Sequence, residues 1–283
     1  MIDPSALSGA RIHVVDVFAE APLAGNPLAV VVSETPLPRA LRQAVAAETN
    51  LSETTFLVAA PEAPGRWAVA IHTPSGELPF AGHPVLGTAA VIRDALGHGD
   101  APLVLTTGAG DVPVDRDAQA VEWLAAPGAT LRPNVAHGLV RALDPSFGAG
   151  PLPLATGANG PVFALVTADG PAALAAPIRD PAAVLAALRA GECTGMLLAA
   201  PARGTRWQAR VFFDADGLRE DPATGSAAAQ FGEHLRATGS TGAFELRQGE
   251  VLGRPARIRL EVPTTGPVRV GGRVRPVYAG RFA

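Results

Sequence analysis

Two copies of one phrase, "HPVLGTAA" at 83–90 and "DPATGSAA" at 221–228, lie 138 residues apart in a chain of 283. Each runs His or Asp, Pro, two variable residues, Gly, a hydroxyl residue, Ala, Ala. A phrase repeated at half the chain length is too widely spaced for a solenoid and predicts two like domains. The surrounding patterns repeat in the same order. In the first half, "RIHVVDVFAEAPLAGNPLAVVVS" (11–33) predicts two strands about a turn, and "LPRALRQAVAAETN" (37–50) a helix burying Leu41, Ala44 and Val45. "SETTFLVAA" (52–60) and "RWAVAIHTP" (66–74) predict one strand each. In the second half, "NGPVFALVTA", "DPAAVLAALRAGE", "GMLLAAPA" and "RWQARVFFDADG" follow the same sequence of elements. The expected division is 1–127, with the last strand at about 274–283 possibly returning to it, and 128–273.

Each phrase is expected to open a helix with Pro84 or Pro222 at its first position, where a missing N–H costs nothing. Asp221 is the better N-cap and His83 the poorer. The residues that follow are small and apolar, Ala89 and Ala90 in one half and Ala227, Ala228 and Ala229 in the other. A narrow helix that is apolar most of the way round suits the inside of a curled sheet. The expected fold is therefore α+β, two pseudo-symmetric domains, each a barrel-like, mostly antiparallel sheet around a central helix. Helix N-termini present unpaired N–H groups and partial positive charge, which suit a carboxylate or phosphate. Gly87 and Gly225 leave room for one, and Thr88 and Ser226 add hydroxyls. With the two N-termini facing each other across a cleft, a small anion would lie between them, flanked by His83 and Asp221. Candidate binding residues are Gly82, Gly87, Thr88, Thr224, Gly225 and Ser226.

Composition excludes several chemistries. All 23 Lys+Arg residues are Arg, so neither a Schiff-base lysine nor a P-loop lysine exists. Cys193 is the sole cysteine, which rules out an intrachain disulfide, a two-thiol active site and a multi-Cys zinc site; it reads as a buried structural residue. No pair of histidines has zincin spacing, so no metal is expected. His13, His72, His98, His137 and His234 read as packing or surface residues. "GAGDVP" (108–113) lacks the third glycine and the following helix of a dinucleotide fingerprint. The net charge of −3 gives no field for nucleic acid or an anionic membrane, and no apolar run reaches a membrane span. The first residues lack a secretory pattern, so a cytoplasmic protein is expected.

The fragments "VDVF…GNPLAVV", "NLSETTFL", "ELPFAGHPVLGTAA" and "EDPATGSAAAQF" together resemble the PhzF-like isomerases of phenazine biosynthesis, relatives of diaminopimelate epimerase. The resemblance spans nearly the whole chain in the family's order. It implies the fold described above, a homodimer and no cofactor. It also implies that Glu53 of "SET" is the acid/base, with His83 and Asp221 as its catalytic companions and Ser226 as the final hydroxyl. A carboxylate in a closed, partly apolar cleft can both take and return a proton. The implied reaction is of the trans-2,3-dihydro-3-hydroxyanthranilate isomerase type, a hydrogen moving between carbons of a small carboxylic acid. The alternatives are an epimerase or isomerase of another small amino acid, and a non-catalytic dimer that binds a small carboxylate.

Overall fold

The computed structural model describes residues 3–133, 137–143 and 146–283. The chain forms two compact units, residues 1–125 with 271–283, and residues 126–270. Each is an α+β arrangement of a mostly antiparallel sheet and one buried helix.

The first unit contains β1 (Arg11–Val17), β2 (Asn26–Ser33), α1 (Arg39–Thr49), β3 (Glu53–Val58), β4 (Arg66–Ala68), β5 (Ala70–His72), β6 (Glu77–Leu78), α2 (Gly82–Ala95), β7 (Leu103–Thr107), β8 (Gly110–Arg116) and β9 (Glu122–Ala125). Its main sheet has the chain's last strand, then β1, β2, β3, β5 and β6 in order, while β9, β8, β7 and β4 run side by side. β2 and β3 are parallel, joined by α1, and the other pairs of the main sheet are antiparallel. β2 is a run of β-branched and aliphatic residues with only Pro27 short of full burial, as a strand covered on both faces requires. On α1 the buried residues are Leu41, Val45 and Ala46; Ala44 is only half-buried. The stretch 66–74 is not one strand. Val69 gives its N–H to the Thr106 carbonyl (2.9 Å), and the chain there changes partner, β4 pairing with β7 and β5 with β3.

The second unit contains β10 (Thr130–Pro133), α3 (His137–Ala142), β11 (Ala155–Ala158), β12 (Val162–Thr167), α4 (Pro181–Ala190), β13 (Gly195–Pro201), β14 (Arg206–Asp214), β15 (Leu218–Asp221), α5 (Gly225–Ala237), β16 (Gly242–Gln248), β17 (Ala256–Val262) and β18 (Arg269–Gly272). Strand order runs β10, β11, β12, β13, β14, β16, β17, β18, with β15 on β14. The final strand, paired with β1 in the first unit, is β19 (Val274–Arg281). The parallel pair β12–β13 with α4 between repeats the β2–α1–β3 pattern. Here the counterpart of β4 and β5 is one nine-residue strand, β14.

α2 and α5 are buried along almost their whole length, His83 to Arg93 in one and Ala227 to Leu235 in the other. α2 touches β1, β2, β3, β7, β8, β9 and β19, so strands surround it. Gly87 is what permits this. A Cβ there would stand 2.5 Å from Leu28 Cδ2 and 2.8 Å from Val17 Cγ2. The far end of α2 is fixed by Arg93, buried to 3% exposure, which donates to Glu122 and to the carbonyls of Gly99, Ala101 and Val114. With these acceptors filled, the buried guanidinium is matched rather than stranded. Among the described residues no helix is long and apolar enough to cross a membrane.

Candidate active site

The two buried helices start alike, but not where the repeated phrase suggests. β6 ends at Leu78, Pro79–Ala81 form a three-residue loop, and α2 begins at Gly82. β15 ends at Asp221, Pro222–Thr224 form a loop, and α5 begins at Gly225. The structural counterparts are thus "PFAGH" (79–83) and "PATGS" (222–226), each a Pro, two loop residues and a helix opening on Gly. His83 corresponds to Ser226, and Asp221 to Leu78. This corrects the equivalence drawn between His83 and Asp221. Pro84 is the third helical residue rather than the first, and proline is tolerated there because that N–H has no intrahelical partner. Neither start has a side-chain cap; Ala81 and Thr224 hold the N-cap position, both extended. Asp221 is not an N-cap.

The expectation that Gly87 and Thr88 lie at a helix start and bind an anion fails for the same reason. Both sit in the second turn of α2, fully buried, with their N–H groups inside the helix. Gly87 is a packing residue. Thr88 Oγ1 shares a hydrogen bond of 2.8 Å with Thr55 Oγ1, tying α2 to β3.

That tie bears on Glu53, the first residue of β3. Asn50, left-handed at φ 50°, ends α1 and turns the chain into the strand. In register with Leu28 of β2, Glu53 lies two residues before Thr55, on the same face, toward α2. Its Oε2 stands 3.3 Å from His83 Nε2. Both side chains are largely buried, at 16% and 8% exposure. Burial pushes the His83 imidazole down to about 3, so it is neutral near pH 7. A neutral imidazole beside a carboxylate can donate a hydrogen bond to it or accept one from its acid form. Two of the three candidate catalytic groups therefore form a dyad within the first unit. Nothing lies within 4 Å of where a Gly82 Cβ would be, which leaves the backbone beside His83 open to approach.

Asp221 belongs to the second unit, with Thr224, Gly225 and Ser226. β15, which carries Asp221, is fixed to β14 by Arg210 and Glu220, joined at 2.9 and 2.7 Å and both largely buried. Thr224 Oγ1 donates to Asp221 Oδ2 at 2.5 Å. The first N–H of α5 with a helical partner belongs to Ala228, bonded to the Thr224 carbonyl. The N–H groups of Gly225, Ser226 and Ala227 precede it and point out of the helix end. Gly225 is buried and Ser226 half-buried. One residue that holds this loop, Gln248, escaped sequence analysis: it lies 27 residues beyond Asp221 and belongs to no motif.

Among the remaining histidines, His13 is half-buried in β1, and His72 is buried against Phe56 and Gln43. His98 meets Trp67 edge to face, and His234 bonds the Pro153 carbonyl. The His137 side chain lies outside the described residues. Cys193 is buried in the apolar core of the second unit, and burial raises its thiol pKa, the setting of an inert residue. A cavity of about 630 Å³ in the first unit, lined by Arg42, Leu57, Trp67 and Glu77 among others, includes neither Glu53 nor His83.

Comparison with known proteins gives this pair a context. Residues 15–280 match the model of the phenazine biosynthesis-like protein family. The chain belongs to that family. A trans-2,3-dihydro-3-hydroxyanthranilate isomerase of Pseudomonas chlororaphis is 38% identical over 253 residues, covering 86% of this chain and 87% of the relative. The isomerase of the same name from Pseudomonas aeruginosa is 36% identical, covering 96% of this chain and 98% of the relative. A solved structure described as a predicted epimerase from Pseudomonas aeruginosa superposes with a TM-score of 0.79 at 29% identity, over 96% of this chain and 98% of its own. The protein is an isomerase acting on a small molecule. Glu53 and His83 both lie inside the matched span.

Proposed function

We propose that this isomerase moves a hydrogen between carbons of a small unsaturated amino or hydroxy carboxylic acid, with trans-2,3-dihydro-3-hydroxyanthranilate as the first candidate substrate. In this reading Glu53, as carboxylate, removes the proton from C3, exchanges it with solvent and delivers a proton to C1 of the same conjugated system. The double bonds shift and Glu53 ends as it began. His83, neutral, stands beside the carboxylate and steadies it in both protonation states. The α5 amides of Gly225 and Ser226 receive the substrate carboxylate, and Asp221 takes its amino group. Gly82 leaves room beside His83, and the Ser226 hydroxyl adds a donor.

The observation that carries this reading is the buried contact of 3.3 Å between Glu53 and His83. A carboxylate with an imidazole this close needs no cofactor to shuttle a proton, and such acid–base help is worth about 10²–10⁴ in rate. Orientation of the bound acid supplies the remainder. A racemisation that uses two thiols has no place here, because Cys193 is the single cysteine of the chain.

The reading includes two further expectations. The two units are two like domains, 1–127 with the last strand and 128–273, and the protein is a homodimer, which light scattering on the purified protein checks. The direct test incubates the protein with trans-2,3-dihydro-3-hydroxyanthranilate in D₂O and follows it by proton NMR. Product carrying deuterium at the new C–H position is the expected result. Unchanged substrate under conditions where the protein is folded excludes this substrate.

A further inference from the structure

Resting on that reading of Asp221 and the start of α5, we infer that Gln248 is a positioning residue, which sets the Asp221 carboxylate and the first turn of α5 by gripping Thr224. Gln248 ends β16 and is fully buried. Its Oε1 accepts the Thr224 N–H at 3.2 Å. Its Nε2 donates to the Asp221 backbone carbonyl at 2.7 Å and to Thr224 Oγ1 at 3.2 Å. The direction of each bond is forced. An N–H can only donate and a carbonyl can only accept, so the amide cannot be flipped without losing both backbone bonds.

The same logic fixes Thr224. Its hydroxyl proton goes to Asp221 Oδ2 at 2.5 Å, so its lone pairs face Gln248. Gln248 therefore orders Thr224 at two atoms, and Thr224 in turn orders the carboxylate. Gly249 completes the support from behind. It is left-handed at φ 78°, and a Cβ there would stand 2.6 Å from the Pro222 carbonyl oxygen. The turn after β16 is thus built flush against the 222–224 loop. In the first unit the equivalent turn reaches the 79–81 loop through backbone, Ala109 N–H to the Pro79 carbonyl at 3.0 Å. Thr107, which precedes that turn, aims its hydroxyl at Gly110 instead. The side-chain grip belongs to the α5 start.

Gln248→Met removes all three bonds at nearly constant volume. Two readouts on the full-length protein test the role. The first needs no substrate: hydrogen exchange at the Thr224 amide, the one that Gln248 accepts, is expected to speed up about tenfold or more. Unchanged exchange overturns the grip. The second is kcat/KM on trans-2,3-dihydro-3-hydroxyanthranilate, expected to fall about 10–10²-fold, chiefly through KM, at a temperature well below melting. A lowered melting temperature with wild-type kcat and KM would mean a merely structural residue and overturns the inference. Should Gln248→Met not fold, Thr224→Val cuts the hydroxyl links to both Asp221 and Gln248 and leaves the backbone ones; the same fall in kcat/KM through KM is then expected, and wild-type kinetics overturn the inference. A wild type that leaves this substrate unchanged refutes the substrate assignment, and the exchange measurement still decides the grip.

Discussion

The two helix starts share a backbone plan and differ in what they carry. At α2 the second helical residue is His83 and the third is Pro84, so one N–H is missing; at α5 the same places hold Ser226 and Ala227. The α2 start faces a carboxylate, Glu53, across 3.3 Å. The α5 start keeps its first three amides and stands behind a carboxylate, Asp221, held by Thr224 and Gln248. In the proposed reading, one copy is where a proton moves and the other where an anion rests, the labour divided by a handful of side chains.

The largest test of that division is Glu53→Gln. It keeps the shape of the side chain and removes the base, so turnover is expected to drop about 10²–10⁴-fold with little change in melting temperature. The second is acid sensitivity. His83, depressed to about 3 by burial, binds its proton in the unfolded chain near 6.5 but not in the folded one. The unfolded state then holds more protons between those values, so stability falls as pH drops from about 6.5 toward 3, by up to about 4 kcal/mol from this group. His13, His72 and His234, also depressed by burial, add slope of the same sign. Denaturant melts from pH 7 to 4 are expected to show this slope, and His83→Asn to flatten it.

A third test copies one start into the other. Ala227→Pro gives α5 the third-position proline of α2 and removes an amide donor, and KM is expected to rise about tenfold while kcat changes less. The smallest concerns the residue whose place was misjudged. Gly87→Ala presses a methyl onto Leu28 and Val17 and is expected to cost about 1–3 kcal/mol in stability. At temperatures well below melting its kcat/KM should equal that of the wild type. Loss of binding there without loss of stability would restore Gly87 to the site.

The elements that sequence made legible were those dictated by local pattern. The run of buried aliphatics in β2 and the alanine-rich turns of α5 each admit one environment, a covered strand and an enclosed helix. The misreadings came where local chemistry is permissive. Proline is accepted at any position of a first turn, so Pro84 could not mark where α2 begins, and the phrase was matched five residues out of register. Val69 sits in a run that looks continuous, and only the competing partners β3 and β7 divide it. The Glu53–His83 contact was anticipated as a membership of one site rather than as a distance. Gln248 was invisible because its partners are the backbone of a distant loop, and a backbone carbonyl leaves no trace in sequence.

The division of labour comes to a single titration. Glu53→Gln is titrated with trans-2,3-dihydro-3-hydroxyanthranilate, amide-resolved NMR in H₂O following binding and a parallel sample in D₂O following the chemistry. The account predicts that the Gly225 and Ser226 amides shift and saturate while no deuterium enters the substrate carbons. Deuterium entering at the wild-type rate, or saturation that leaves those two amides unmoved, would contradict it.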